Sequence, residues 1–160
     1  MRAVLAAARR AAGPRRRPPP PPGRLIRLAA ACPGDLAGLR DRALLLLAAA
    51  GLSRAALVGL DVEHLRFGAS GVALTLPDAD GEGRHRTILA GATPRTSPVQ
   101  ALRDWLDAAD TKFGPVFRKV DRWGNVEHRR LGPDALRRIL ARRTRRRRAP
   151  PRHPRRPAPA

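Results

Sequence analysis

Arginine and proline confine any folded core of this chain to its middle. Residues 1–24 contain seven arginines and five consecutive prolines, and residues 145–160 contain only arginine, alanine, proline and histidine. Proline lacks a backbone donor and fixes φ, so segment 13–24 predicts an extended polyproline rod. Residues 145–160 lack an apolar period and repel compaction, which predicts disorder. We therefore expect a basic, proline-rich lead over 1–33, one folded domain over 34–144 and a disordered tail.

The first part of the folded segment carries a helical pattern. Leucine and alanine recur at helical spacing between Asp35, which can cap a helix, and about Ala50, after which Gly51 provides a stop. Ser53 then predicts the cap of a second, short helix that ends near Leu60. We expect the first of these helices to lie at the centre of the core.

Beyond the second helix, the apolar period changes from helical to about two. Three short strands are predicted over 65–67, 71–76 and 86–90, and the acidic, glycine-rich segment 78–83 predicts the connection between the last two. Helices followed by a small sheet and further helices indicate an α+β fold. The domain should be mainly helical, with a three-stranded antiparallel sheet.

A third helix is predicted to begin at Ser97 and Pro98, which supply a cap and a favoured first helical residue. Its apolar stripe should cover one face of the sheet, and Trp105 on this helix is expected to lie in the core. Val116 and Phe117 then predict a short buried extension.

The segment 123–125 predicts a turn in which Trp123 is partly buried, with base stacking as the alternative role for this side chain. Pro133 and Asp134 open a last helix with one apolar and one basic face. The apolar face consists of Leu136, Ile139 and Leu140, and the basic face of Arg137, Arg138, Arg142 and Arg143.

The charge of the chain favours a polyanionic partner. Lysine and arginine number 33 against 13 acidic residues, for a formal net charge of +20. A positive field of this kind attracts nucleic acid, so contact with DNA phosphates is the expected interaction. The alternative is a solvated basic surface with no specific partner.

Other ligands and locations are less consistent with the composition. Cys32 is the single cysteine, so no disulfide can form within the chain, and no Cys and His cluster has the spacing of a zinc site. We expect neither a metal nor another cofactor. The longest apolar run, 43–52, is about half of the ~20 residues that span a bilayer, which predicts no membrane partner. The single cysteine fits a reducing cytoplasm.

Several segments together resemble one family. GDLAGLRDRALLLLAAAGLSRAALVGLDVEHLRF, residues 34–67, resembles the start of the catalytic domain of tyrosine recombinases, the phage-integrase family. The resemblance continues in family order through GVALTLP, SPVQALRDWLDAA, FGPVFRKVDRWGNV and LGPDALRRILARR. It implies a DNA strand transferase, in which a tyrosine attacks the scissile phosphate, two arginines bind its oxygens and a hairpin lysine protonates the leaving group.

The residues that would carry this chemistry are absent from the matching positions. The chain contains no tyrosine. Where the family has Gly-x-Arg-x-x-Glu-Leu, residues 51–57 are GLSRAAL, so Ser53 occupies the arginine position and Arg54 is the nearest candidate. The predicted hairpin has no lysine, and the letters of a His-x-x-Arg motif at His153 and Arg156 fall among prolines. We therefore expect a chain that does not catalyse strand transfer.

The resemblance also implies which regions approach the DNA backbone. The candidate DNA-binding residues are Arg84, Arg86, Arg118, Lys119, Arg122, Arg137, Arg138, Arg142 and Arg143. The leading hypothesis is thus a DNA-binding remnant of a recombinase, with an intact recombinase or a second copy of the chain as further possible partners.

Two alternatives remain open at this point. The chain could be a basic module that binds nucleic acid or an acidic protein without any recombinase role. It could also be the product of a decayed gene that is translated out of frame after about Thr144, since arginine, proline and alanine have GC-rich codons.

Overall fold

A computed structural model describes residues 18–76 and 83–148 of the chain, including the side chains through Arg145. Five α-helices and two antiparallel sheets make up these residues, which confirms the predicted α+β class. The described part contains no helix that is long and apolar enough to cross a membrane. Nor do its histidine, cysteine and acidic residues form a group of three or more that could hold a metal ion.

Helix α1, Pro22–Ala30, lies in the segment that the sequence assigned to the lead. The helix begins inside the proline run because Pro22 occupies its first turn, where a missing N–H costs no hydrogen bond. Leu25, Leu28 and Ala29 share one face and are buried in the core against the next helix. This is a correction to the predicted lead 1–33, because the prolines masked a short amphipathic helix that follows them.

Helix α2, Leu36–Ala49, is the central element, as predicted. The Asp35 carboxylate accepts a hydrogen bond from the Gly38 N–H at 2.6 Å and so caps the helix. Leucines and alanines on several sides are buried because α1 and helix α4, described below, both pack against it. The helix ends at Ala49, and Gly51, just after the capping residue Ala50, has a positive φ of 93° that suits glycine.

Helix α3, Arg54–Gly59, follows directly and confirms the predicted short helix. A 3-10 turn, Val62–His64, then leads into the sheet. Its strands are β1 (Leu65–Phe67), β2 (Gly71–Leu76) and β3 (Arg84–Leu89), antiparallel in that order.

The register of the sheet places Leu65 opposite Leu74 and Val72 opposite Ile88. All four side chains are buried, so this is the inner face of the sheet. Strand β3 begins two residues earlier than the predicted 86–90. The predicted connection 78–83 lies outside the described residues except for its last position.

Helix α4, Pro98–Ala108, has the predicted cap, since the Ser97 hydroxyl accepts from the Gln100 N–H at 3.1 Å. It packs mainly against α2 and only in part against β3, whereas the sequence predicted that it covers the sheet. Trp105 is fully buried, and its Nε1 donates to the carbonyl of Val116 at 2.7 Å. Val116 and Phe117 are also buried, as predicted.

The sequence did not predict the second sheet, in which β4 (Arg118–Val120) pairs with β5 (Val126–Arg130). The predicted turn at 123–125 lies between these strands and closes a hairpin. Helix α5, Ala135–Arg148, completes the described chain and buries Leu136 and Ile139. It continues four residues into the predicted disordered tail, whose remaining residues, 149–160, lie outside the described chain.

Candidate nucleic-acid interface

The turn between α2 and α3 contains the position at which the resemblance implies a catalytic arginine. Ser53 stands there, and its hydroxyl accepts a hydrogen bond from the Ala56 N–H at 3.1 Å to cap α3. Arg54 is the first residue of that helix and is exposed. The backbone at Ser53 is extended and that at Arg54 is helical, so the two positions are not equivalent.

A second arginine reaches this turn from the sheet. Arg86 on β3 donates from Nη2 to the carbonyl of Ala50 at 2.7 Å and from Nη1 to the carbonyl of Gly51 at 3.1 Å. These carbonyls lie at the C-terminal end of α2, which carries a partial negative charge that favours a cation. The guanidinium group of Arg86 therefore stabilises the turn, although its side chain remains exposed at the surface.

A buried aspartate in the N-terminal half of α2 holds three arginines. Asp41 is fully buried, and its Oδ1 accepts from Nε and Nη2 of Arg40 at 3.1 and 2.8 Å. Its Oδ2 accepts from Nε of Arg143 at 2.8 Å and from Nη2 of Arg142. We name these four residues the Asp41 cluster.

The Asp41 cluster changes the predicted set of DNA contacts. Only 5% of Arg143 is exposed, and its Nη2 also bonds to the carbonyl of Ala37, so this side chain does not reach the surface. Arg143 is therefore removed from the candidate DNA-binding residues. Arg142 also binds Asp41, but 44% of its side chain is exposed, so it lies at the edge of the cluster.

Sequence reasoning missed the cluster. The pairs of Asp41 with Arg142 and Arg143 join residues about a hundred positions apart, which no local pattern reveals. One signal was present: Arg40, Asp41 and Arg42 interrupt a helix that is otherwise rich in leucine and alanine. Charged residues in so apolar a helix rarely lie in the core unless they are paired.

The hairpin of β4 and β5 presents several exposed basic residues. Lys119 forms an ion pair with Glu127 at 2.8 Å, with 60% of the lysine side chain exposed. The guanidinium carbon of Arg122 lies 3.9 Å from the centre of the Trp123 ring. Trp123 is 72% exposed, which corrects the predicted partial burial.

Arg118 has a structural role at the base of this hairpin. Its Nη2 donates to the carbonyl of Phe113 at 2.7 Å and its Nε to the carbonyl of Pro115 at 3.2 Å. The side chain is half-buried and holds the loop that leads into β4. The exposed donors of this region are thus found farther along the hairpin, toward the turn.

The outer face of α5 supplies another basic surface. Its sequence, ALRRILARRTRRRR, contains eight arginines and no acidic residue. Arg137 and Arg138 are exposed, and Arg137 forms only a long ion pair, 3.7 Å, with Asp134. On the sheet side, Arg84 is exposed at the first position of β3. The exposed candidates are therefore spread over three elements, with Arg84 on β3, Lys119 and Arg122 on the hairpin, and Arg137 and Arg138 on α5. Arg86 and Arg118 bind backbone carbonyls, and Arg142 lies at the edge of the Asp41 cluster.

The described residues offer no activated nucleophile. Burial raises the pKa of the Cys32 thiol from 9.0 to about 11, so the thiol stays protonated at neutral pH. The described histidines are dispersed: His64 accepts a hydrogen bond from the Asp61 N–H, whereas His85 contacts Thr75 on the sheet. The arrangement can attract anions, but nothing in it is poised to form a covalent bond with one.

Fold and surface together define a mixed α+β domain with an arginine-rich exterior. The chain is 33% identical over 106 residues to the integrase/recombinase XerD homologue of Selenomonas ruminantium. This similarity supports the predicted resemblance to the tyrosine recombinase family. The match covers 63% of this chain and 31% of the relative. No protein-family profile matches the chain, and no solved structure does.

Proposed function

We propose that this chain binds DNA through backbone phosphates and does not itself carry out strand transfer. The binding unit is the catalytic-like segment 34–144, with α1 packed on it and α5 extending beyond it. Family relationship and the exposed basic residues of α5, the β4–β5 hairpin and β3 support DNA as the partner. Guanidinium and ammonium groups on such surfaces bind phosphates without reading the base sequence.

The proposal that the chain does not carry out strand transfer rests mainly on Ser53. A transition state at phosphorus concentrates negative charge, and the arginine that the family uses there has become a serine whose hydroxyl caps a helix. The chain also contains no tyrosine to attack the phosphate. Loss of one such stabilising group typically costs about 100- to 1,000-fold in rate, and here the nucleophile is absent as well.

A nicked, fluorescently labelled duplex that traps covalent intermediates tests both halves of the proposal. Denaturing gel electrophoresis should show no protein–DNA adduct, while fluorescence anisotropy should show reversible binding that weakens steeply as NaCl rises. A covalent adduct would overturn the inactive assignment. Binding that is absent, or insensitive to salt, would overturn the phosphate contacts.

The alternative of a basic module makes a different prediction. If residues beyond Arg148 carry the affinity, replacement of Arg152, Arg155 and Arg156 by alanine should abolish binding. We expect the full chain with these three substitutions to keep most of its affinity, because the exposed arginines of the described domain remain. Anisotropy with the same duplex, at one fixed salt concentration, compares the two proteins.

A further inference from the structure

The turn of the β4–β5 hairpin presents an aromatic ring to solvent. The chain has two tryptophans, of which Trp105 is 0% exposed and Trp123 is 72% exposed. An indole ring carries a large apolar surface, and its exposure leaves that surface without the favourable burial that Trp105 obtains. Exposed aromatic residues of this kind are characteristic of binding surfaces.

The turn holds Trp123 in a fixed position. The Asp121 carboxylate accepts from the N–H of Trp123 at 2.8 Å, from the N–H of Asn125 at 2.9 Å and from the Asn125 side chain at 3.0 Å. Gly124 has a φ of 92°, which completes a tight turn that glycine adopts without strain. The backbone that carries the ring is therefore held in place before any ligand arrives, which lowers the entropic cost of binding.

The base of the hairpin is anchored as well. Arg130 donates to the carbonyl of Val58 at 2.7 Å and to Oδ1 of Asp61 at 2.6 Å, which ties β5 to the segment after α3. The N–H of Leu131 donates to the carbonyl of Phe117 at 3.0 Å. A hairpin that is fixed at its base and at its tip holds the backbone position of Trp123 in place.

The surroundings of the ring favour a polyanion over an apolar partner. Arg122 lies over the indole at 3.9 Å, within the range of a cation–π interaction. Five basic and two acidic residues lie between positions 118 and 130. A strand whose base stacks on the ring would bring its phosphates next to Arg122, so one short segment supplies both an aromatic surface and a cation.

We propose that Trp123 and Arg122 form a stacking platform for an unpaired nucleobase of single-stranded or gapped DNA. This inference rests on the proposed DNA binding and extends it to a substrate class. The faces of bases within a duplex are already covered by their neighbours, whereas an unpaired base offers a free face. Tryptophan binds such faces with little dependence on base identity, so the platform should favour single strands without reading their sequence.

Tryptophan fluorescence reports directly on the platform, because the second indole is buried. Titration of the full chain with a 12-nucleotide oligo(dT) should quench the Trp123 emission to a saturating value. Trp123→Phe should remove the quenching, since Trp105 is shielded, and retain most of the affinity, since a phenyl ring also stacks. Emission that does not change on saturation would overturn the proposal.

Affinity measurements on a single strand and on a blunt duplex provide the second test. Trp123→Ala should weaken binding of oligo(dT) about tenfold, within the range for loss of one stacked base, and should change duplex binding far less. Phe113→Ala is the matched control, because Phe113 is 73% exposed but has no arginine stacked on it in the described contacts. Its oligo(dT) affinity should equal that of the unaltered chain.

The outcomes separate this inference from the proposed function. If the chain binds duplex DNA in a salt-dependent manner and Trp123→Ala leaves oligo(dT) affinity unchanged, the stacking platform is wrong and phosphate binding stands. If neither DNA binds, the proposed function itself fails. Equal losses for oligo(dT) and the duplex would also contradict the platform, since stacking requires an unpaired base.

Discussion

Arginines at the Asp41 cluster and arginines on the β4–β5 hairpin have opposite environments. In the cluster, Arg40 and Arg143 are buried, and each donates to a carboxylate that is fully withdrawn from water. On the hairpin, Arg122 lies against an exposed indole. The difference shows that positive charge in the sequence does not translate directly into a DNA-binding surface, because part of it is used to join α2 to α5.

The energetics of the two regions differ for the same reason. A buried carboxylate with several guanidinium groups is costly to desolvate, and the remaining stability depends on every partner being present. An exposed arginine is hydrated in the free protein and contributes little to folding. Substitutions in the first region should therefore affect stability, and substitutions in the second should affect DNA binding.

The largest effect is expected for Asp41→Ala. Removal of this carboxylate leaves Arg40 and Arg143 buried without their acidic partner, which typically costs about 3–5 kcal/mol. Such a loss is a large part of the stability of a small domain, so the urea midpoint should fall sharply or the chain should unfold. Asp41→Asn keeps one oxygen acceptor and should be less damaging. A loss below about 1 kcal/mol for Asp41→Ala would contradict the structural role.

An exposed ion pair provides the control for this variant. Lys112 lies 3.1 Å from Asp110, and both side chains are more than three-quarters exposed. Lys112→Ala should change the free energy of unfolding by no more than about 0.5 kcal/mol.

Arg143→Ala and Arg137→Ala compare one buried and one exposed arginine of the same helix. Arg143→Ala should lower the free energy of unfolding by about 2 kcal/mol, because a charged hydrogen bond to Asp41 is lost. Arg137→Ala should leave stability nearly unchanged but weaken duplex binding, since its side chain is 74% exposed. Chemical denaturation and anisotropy measure the two properties. Equal destabilisation by both variants would remove the distinction between the two regions.

The smallest expected effect concerns the turn of the hairpin. The hydrogen bonds from Asn125, backbone first, lower the pKa of Asp121 from its ordinary value of 3.8. Because the pKa of Asp121 is lower in the folded chain, its carboxylate stabilises the turn fully above about pH 3.8. That stabilisation is lost as the pH falls through the lower pKa of the folded state. The anisotropy of Trp123 emission should therefore be constant from neutral pH to about 5 and decrease only in stronger acid.

Asp121→Asn removes the titrating group, so the decrease in anisotropy in strong acid should disappear. The comparison with the unaltered chain separates the local turn from general acid unfolding. A step of the unaltered chain that is centred above 3.8 would contradict the depressed pKa.

Local signals were sufficient to predict most of the first sheet and the helices around it. The caps at Asp35, Ser53 and Ser97 were identified because each side chain bonds to an N–H three residues later, within one turn. Alternating apolar residues likewise indicated β1 and β2. Features that depend on residues close in sequence could thus be predicted from the sequence alone.

Features that depend on residues distant in sequence, or on segments without a clear apolar pattern, could not be predicted from the sequence. The β4 strand has three residues, Arg118–Val120, and only one is apolar, so no alternation could indicate it. Helix α1 was hidden by the prolines that precede it. The assignment of Arg143 to the DNA surface failed because its partner, Asp41, lies 102 positions earlier in the chain.

The salt dependence of duplex binding tests most directly whether exposed arginines of the folded domain contact DNA. Each phosphate contact contributes about 0.9 to the slope of log affinity against log salt concentration. The full chain with Arg137→Ala and Arg138→Ala should therefore have a slope about 2 smaller in magnitude, with the fold intact, whereas Lys112→Ala should leave the slope unchanged. An unaltered slope in the double variant, together with complete loss of binding when Arg152, Arg155 and Arg156 are replaced, would contradict the account.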